Sequence, residues 1–574
     1  MMMTFQSLLL AHAALIAPQS GPADLRIETY SLHPMLIGQD QGLRFATLPR
    51  ERSKVVEEVT DREGLARISS GDLQDLTFAL FELFPGLGEE RGSFVSLTAD
   101  DRLVVNGGDR AHELIGGALA GFERVIGHRA QVEVTVVTGP QGAFDGLPDG
   151  GAVPARALSE ALAEAPVVAS ETFSLDLRCG STGFLDMSGS QSVVRDYSVE
   201  IATGNAVFDP VVMELRTGTR IAARYLPLGE GGRLAMIFDR GLPVGEPRAV
   251  DLEMVTWMAA VDSAEGGMRV DVTPRIELQD MVTSALAFEV DLGPDSVGVA
   301  RMGWSLGGHQ LEHLILTRVV AEPLAAVETV EIGGKAFVMV NREAVEPTYV
   351  YAARPDLALL QNQNQMAWGE PLELVLQASS VGLEYEFLPK VGSTDWYEVG
   401  PWSFVGVDDP ARADEVAAVV EALMRPRGEV VRVGAAFSEQ IGGDDGWSAR
   451  VEAPSLLDGQ AFGIVTRSTP RVSDLDVEVA TNNSIGEPIV TDFESGLAVG
   501  LVPRRFADGW VVGVRGELQI PAGAPRSVVL PKVPGGELES RAAFAVRVDQ
   551  LVDVAPTGSA RLGSSEHGFD VFVR

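Results

Sequence analysis

Cysteine is nearly absent: Cys179 is the only one in 574 residues. An intramolecular disulfide is therefore excluded, and a cysteine-based metal site is not expected. Histidine is also scarce, at seven residues. Basic residues are outnumbered, with Lys+Arg at 45 against Asp+Glu at 81 and a formal net charge of -36. A surface this anionic repels phosphate backbones, so nucleic acid is excluded as a partner. No run is long and apolar enough for a membrane-spanning helix, so membrane contact could come only from inserted β-strands. The apolar stretch from Leu8 to Ala17 is too short to span a bilayer and fits the core of a signal peptide. Export to the periplasm or outer membrane is the expectation. The chain is too long for one compact core, and at 45% hydrophobic residues it is too apolar to be disordered throughout.

What is present is repetition. Asp196-Tyr-Ser-Val-Glu-Ile-Ala-Thr-Gly-Asn205 returns 278 residues later as Asp474-Leu-Asp-Val-Glu-Val-Ala-Thr-Asn-Asn483. At the same spacing Pro210 matches Pro488, Val212 matches Val490 and Gly218 matches Gly496. One spacing held through Gly, Pro and alternating apolar positions marks an internal duplication.

The segments upstream of the two copies also correspond. Leu103-Val-Val105 reads as a strand, and residues 111–125 as a helix with Leu114, Ile115, Ala118, Leu119 and Phe122 on one face. Residues 131–137 then alternate as a return strand. In the second half Phe404–Val407, the helical pattern over 411–424 and Val431–Phe437 repeat that order. The predicted fold class is α+β: a small α/β module followed by a β-rich, mostly antiparallel module, used twice. The expected organisation is a signal peptide at 1–21, α/β modules at 25–140 and 331–440, and β-rich modules at 141–330 and 441–574. Residues 139–151, rich in Gly and Pro, read as a linker.

Residues 102–137 and the segment Pro371–Leu388 resemble the ring-building and short N-terminal domains of bacterial secretins. Gly218–Pro227 and Gly496–Pro503 loosely resemble the glycine, valine and proline pattern of the secretin core. The resemblance implies an exported scaffold that self-associates, or joins other envelope proteins, in a protein-secretion apparatus. The family's Val-Pro-x-Leu-Gly-x-x-Pro signature is not found, which counts against a gated pore.

Two motifs offer an alternative, a secreted hydrolase. Gly303-Trp-Ser-Leu-Gly307 matches the G-x-S-x-G elbow, in which Ser305 would be the nucleophile on a tight strand-to-helix turn. His309-Gln-Leu-Glu-His313 matches H-x-x-E-H, in which His309 and His313 on one helical face would bind zinc and Glu312 would activate water. Glu384 and Glu386 are candidates for the third ligand by distance along the chain. The supporting βαβ units and surrounding zinc-site residues are missing. The sequence therefore predicts no enzyme, no cofactor and no metal.

Overall fold

The computed structural model describes residues 25–31, 94–97, 102–126, 128–178, 396–399, 402–407, 413–414 and 417–418. It also describes 182–341 and 429–574 with short breaks. Two facing antiparallel sheets hold seventeen described strands, sixteen of them in two runs of eight and the short strand Ala152–Pro154 off the second run. In chain order, the first eight of the sixteen are β1 (Arg129–Gly139), β2 (Ala169–Arg178), β3 (Thr182–Ala202), β4 (Asn205–Pro227), β5 (Gly232–Asp251), β6 (Arg275–Leu292), β7 (Ser296–Leu306) and β8 (His309–Ala321). The second eight are β9 (Val430–Gln440), β10 (Gly446–Leu456), β11 (Ala461–Ala480), β12 (Asn483–Phe506), β13 (Gly509–Pro521), β14 (Ala543–Val554), β15 (Ser559–Gly563) and β16 (Gly568–Val573).

The long sheet runs β14-β13-β12-β11-β6-β5-β4-β3, and the short sheet runs β15-β16-β9-β10-β7-β8-β1-β2. Each of the first eight strands therefore has a counterpart eight strands later, at the corresponding place in the other half of its sheet. The pairing is superposable residue by residue. Gly218 faces Gly241 in the first unit, and Gly496 faces Gln519 in the second, each 278 residues on. A bulge between Val194 and Asp196 recurs between Val472 and Asp474. Later strands keep the correspondence at shorter spacings. Leu286 faces Phe238 in the first unit as Val548 faces Gly516 in the second, so β6 and β14 correspond at 262 residues. The two units are related by translation along the sheets, not by a twofold axis.

Period-two alternation builds the core. β1 buries Ala130, Val132, Val134 and Val136, and β9 buries Val431, Val433, Ala435 and Phe437. They meet Phe238, Leu286, Phe288, Val465, Leu497 and Val514 of the long sheet in one continuous apolar layer. Apolar residues shared between facing sheets are what hold a β-sandwich together.

The α+β expectation is overturned. Strands dominate the described residues, and two helices are delineated, α1 (Asp109–Ile126) and α2 (Ala155–Leu162). The return strand predicted after α1 is β1, and it does not pair with Arg102–Gly107. Arg102–Gly107 sits between strands Arg26–Ser31 and Phe94–Leu97 in a separate three-stranded sheet, while β1 lies in the large sandwich between β8 and β2. The eleven-residue β1 finds ten-residue partners on both flanks, which a three-stranded sheet does not offer it. In the second half, Ala413, Asp414, Ala417 and Ala418 are helical within the helix expected over 411–424. The segments around Pro371, Glu384 and Glu386 lie outside the described residues. No described helix is long and apolar enough to cross a membrane.

Gly218 and Gly496 mark where each long hairpin leaves the sheet. β4 pairs with β5 only from Gly218 onward, while it pairs with β3 from Asn205 to Arg224. Both glycines have positive φ, 112° and 139°. A Cβ at Gly218 would lie 2.4 Å from the Met187 carbonyl oxygen, and one at Gly496 would lie 2.1 Å from that of Val465. Only glycine combines that φ with that approach. Gly496→Val is expected to lower unfolding free energy by about 2–3 kcal/mol, measured by urea denaturation. Gly189→Val, at an open position in the hairpin, is the control that should change little.

Candidate functional site

The candidate site is the seam between the two units. On the long sheet β6 pairs with β11, with Met281 opposite Ser468 and Ala287 opposite Phe462. On the short sheet β7 pairs with β10, with Arg301 opposite Glu452 and Ser305 opposite Ser448. All four residues of the hydrolase motifs fall on β7 and β8, beside this seam.

The motifs are built as strand against strand. Ser305 pairs with Gln310, and Leu306 pairs with His309, so the serine lies next to the end of one strand and HQLEH begins the strand paired with it. A nucleophile elbow needs a strand turning into a helix. Residues i and i+4 on a strand share a face but lie about 13 Å apart, too far for one zinc ion. Ser305 is buried. His309 is placed only by its pairing, since its side chain lies outside the described residues. Among the described residues, no three His, Cys, Asp or Glu side chains gather as a metal-holding group.

Glu312 and His313 have structural partners. Glu312 is 1% exposed, ion-paired to Arg301, and accepts a hydrogen bond from the Gly142 backbone N–H at 2.9 Å. His313 is equally buried, with Nδ1 3.0 Å from Thr138 Oγ1. Burial pushes the His313 imidazole down to about 4, and the charge of Arg240 adds to this. Unfolded, this histidine titrates near 6.5, so it is neutral in the fold and protonates first in the open chain. Stability is expected to hold above pH 6.5 and to fall by up to about 3 kcal/mol as pH drops toward 4. His313→Leu should remove that portion of the pH slope. Identical slopes in parent and variant, from denaturant melts between pH 4 and 7, would contradict the assignment.

Around Glu312 the seam holds a network of charges that sequence reading missed. Glu452, fully buried on β10, meets Arg450 of its own strand, Arg432 of β9 at 3.1 Å and Arg301 of β7 at 4.0 Å. Asp145 closes the network, 2.6 Å from Arg301 and 3.1 Å from Arg450. Burial opposes ionisation of both Asp145 and Arg301. For Asp145, hydrogen bonds and charge from Arg301 and Arg450 win and hold its carboxyl below the usual range. For Arg301, Glu312, Glu452 and Asp145 win and raise it. The network thus ties strands of one unit to strands of the other.

These side chains point away from the sandwich interior, so their strands read as ordinary amphipathic ones with a solvated charged face. Arg301, Glu312, Arg432 and Glu452 are buried, and Arg450 partly so, because residues 139–168 fold over that face. This segment is not a linker. Phe144, Val153 and Leu158 bury against Val137, Val297, Val299 and Leu314 as a second small core. The strand Ala152–Pro154 pairs with Ser296–Gly298 of β7. The one sequence signal available was Phe144, Leu147, Val153 and Leu158 recurring in a stretch otherwise read as loop.

Comparison with known proteins adds a distant fold likeness. No family model matches the chain, and no curated protein matches its sequence. Among solved structures it is similar to the ETEC pilotin–secretin AspS–GspD complex, at 9% identity and TM-score 0.21, covering 53% of this chain and 76% of that one. It is also similar to the InvG secretin-domain β-barrel of the Salmonella SPI-1 injectisome, at 9% identity and TM-score 0.21, covering 53% and 90%. Aeromonas hydrophila ExeD matches at 10% identity and TM-score 0.20, covering 65% and 86%. A likeness this distant carries no functional conclusion by itself.

Proposed function

We propose that this chain is an exported structural protein that self-associates into a continuous two-layered β wall and serves a protein-secretion apparatus in the cell envelope. The observation that carries the reading is the translational repeat, whose outermost strands pair on one side only among the described residues. Within the chain, the β6/β7 edge of the first unit joins the β11/β10 edge of the second in both sheets. Among the described residues the same two kinds of edge lie outermost: β3 and β2 at one end, β14 and β15 at the other. Edge strands with an unused hydrogen-bonding side are templates for further strands. A head-to-tail contact of this kind makes closed rings or filaments, not isolated dimers. The apolar stretch at Leu8–Ala17 supports export, and the secretin-like sequence patterns support a role in secretion. A gated pore is not part of the proposal, and Ser305, His309, Glu312 and His313 are assigned no catalytic role.

Sedimentation velocity and negative-stain electron microscopy of the purified full chain test this. Rings or tubes with a two-layered wall are expected, unchanged by Ser305→Ala. A protein that stays monomeric at all concentrations, and hydrolyses an ester or peptide in a Ser305- or Glu312-dependent way, overturns it.

A further inference from the structure

The strands outermost among the described residues also specify how two copies meet. Following the register across the outer face of the long sheet, one row reads Asp186, Arg220, Asp239, Ala285, Ile464, Ala498, Glu517, Arg547. Arg220 is ion-paired to Asp239, and Arg547 to Glu517 at 3.1 Å. The middle of the row is apolar: Ala285 and Ile464 meet at the seam within a small cluster that includes Phe462 and Ala287. The row therefore ends on an acid at the β3 edge and on a base at the β14 edge.

We infer that a second copy of this chain docks its β3 and β2 edge on the β14 and β15 edge of the first in the register of the internal seam, placing Arg547 opposite Asp186. This inference rests on the proposed self-association and adds the residues that meet. The internal seam sets Ala285 against Ile464. The residue of β14 corresponding to Ala285 is Arg547, and the residue of β3 corresponding to Ile464 is Asp186, by the spacings of 262 and 278 established above. Joined so, Glu517, Arg547, Asp186, Arg220 and Asp239 alternate in sign across the contact. Opposite charges in directly facing strand positions are favourable, and like charges there are not. In the same register Met187, 59% exposed in the single chain, faces Val546, and Leu185 faces Val548.

The short sheet gives the same answer independently. Arg301 opposite Glu452 becomes Gly563 opposite Ser174. Continuing along β15 and β2, Leu562 faces Leu175, Arg561 faces Asp176 and Ala560 faces Leu177. A second base meets a second acid, and two leucines meet on the buried face. Each now has a partner within its own chain, Arg561 with Asp570 and Asp176 with Arg129, both at the surface.

The two seams are not equivalent. The positions of the buried network have lost their charges at the outer ends of the sheet: Arg301 corresponds to Gly563, Glu452 to Ser174, Arg450 to Thr172 and Arg432 to Gln131. The contact between chains thus relies on solvent-facing charge pairs, which salt screens. Any ring holds an even number of units, with locked and salt-sensitive seams alternating.

The test uses the full chain carrying Cys179→Ser. Ser188→Cys with Ala545→Cys, which face each other in this register, should give covalent multimers longer than dimers on mild oxidation, at low ionic strength. Asp186→Arg or Arg547→Asp alone should weaken assembly by about tenfold, and the two together should restore it to within about threefold. Unchanged thermal unfolding of each variant separates lost contact from lost fold. If rings form but charge reversal is silent, or if oxidation links Ser188→Cys to a position other than 545, the register is wrong and the self-association stands. If the parent is monomeric throughout, both fail together.

Discussion

Glu452→Ala is expected to lower the unfolding free energy by about 3–5 kcal/mol, the cost of leaving buried charges without their counter-charge. Among the described residues, Glu452 is the carboxylate in contact with Arg450, Arg432 and Arg301 together. Arg301 and Arg432 are each only 2% exposed, so water cannot replace the lost carboxylate without opening the cover formed by residues 139–168. Burial already draws Arg432 below the ordinary arginine range, and Glu452 is the main group opposing that. Removing it turns a compensated cluster into uncompensated desolvation. Chemical denaturation near neutral pH reads the loss. The contrast is Glu429, whose pair with Arg505 is exposed on both sides. Glu429→Ala should change stability by less than about 1 kcal/mol. If both variants behave alike, the cluster is not a structural lock.

Trp304→Ala is expected to cost about 3–5 kcal/mol, in the range of buried aromatic truncations. Trp304 is 2% exposed and belongs to the central apolar layer, between Gly303 and Ser305 of the motif that resembles a nucleophile elbow. It pairs with Leu311 on one side and Ala449 of the second unit on the other. Its loss therefore leaves a cavity at the seam that neither sheet can close alone. Ser305→Ala, one residue away and on the opposite face, should cost less than about 1 kcal/mol. Thermal melts of the two variants compare a packing role with a reactive one. A motif kept for chemistry would show the reverse order, with activity lost at Ser305 and stability little changed at Trp304.

The parts of the fold legible in the sequence were those written in local periodicity. Strands β1 and β9 follow from alternating Val and Ala, and α1 follows from Leu114, Ile115, Ala118 and Leu119 on one face. The spacing of 278 was visible because Gly218 and Gly496 need a φ that other residues resist, and because Pro and alternating apolar positions flank them. The fold class was misread because residues 102–137 contain a complete strand-helix-strand pattern. A pattern says that a strand exists, not which sheet it enters. β1 joins β8, nearly two hundred residues away, because that edge buries its Val132, Val134 and Val136 in the common core.

The seam was illegible for a related reason. Arg450-Val-Glu452 alternates like any strand with one face in water. Nothing local reveals that a Gly- and Pro-rich stretch three hundred residues earlier covers that face and converts surface charges into a buried network. His313 and Glu312 were similarly ambiguous, because H-x-x-E-H brings two histidines together on a helix and separates them on a strand.

By itself the sequence determined that this protein is acidic, poor in cysteine, duplicated and rich in alternating strands, since composition and short-range periodicity are properties of the chain. Only the tertiary structure decided that the two copies share both sheets, that the motif serine lies on a paired strand, and that one row of the long sheet runs from Asp186 on β3 to Arg547 on β14. Strand pairing is a contact between residues far apart in sequence. Which edge meets which is set by the summed burial and hydrogen bonding of whole strands, a quantity no local window contains.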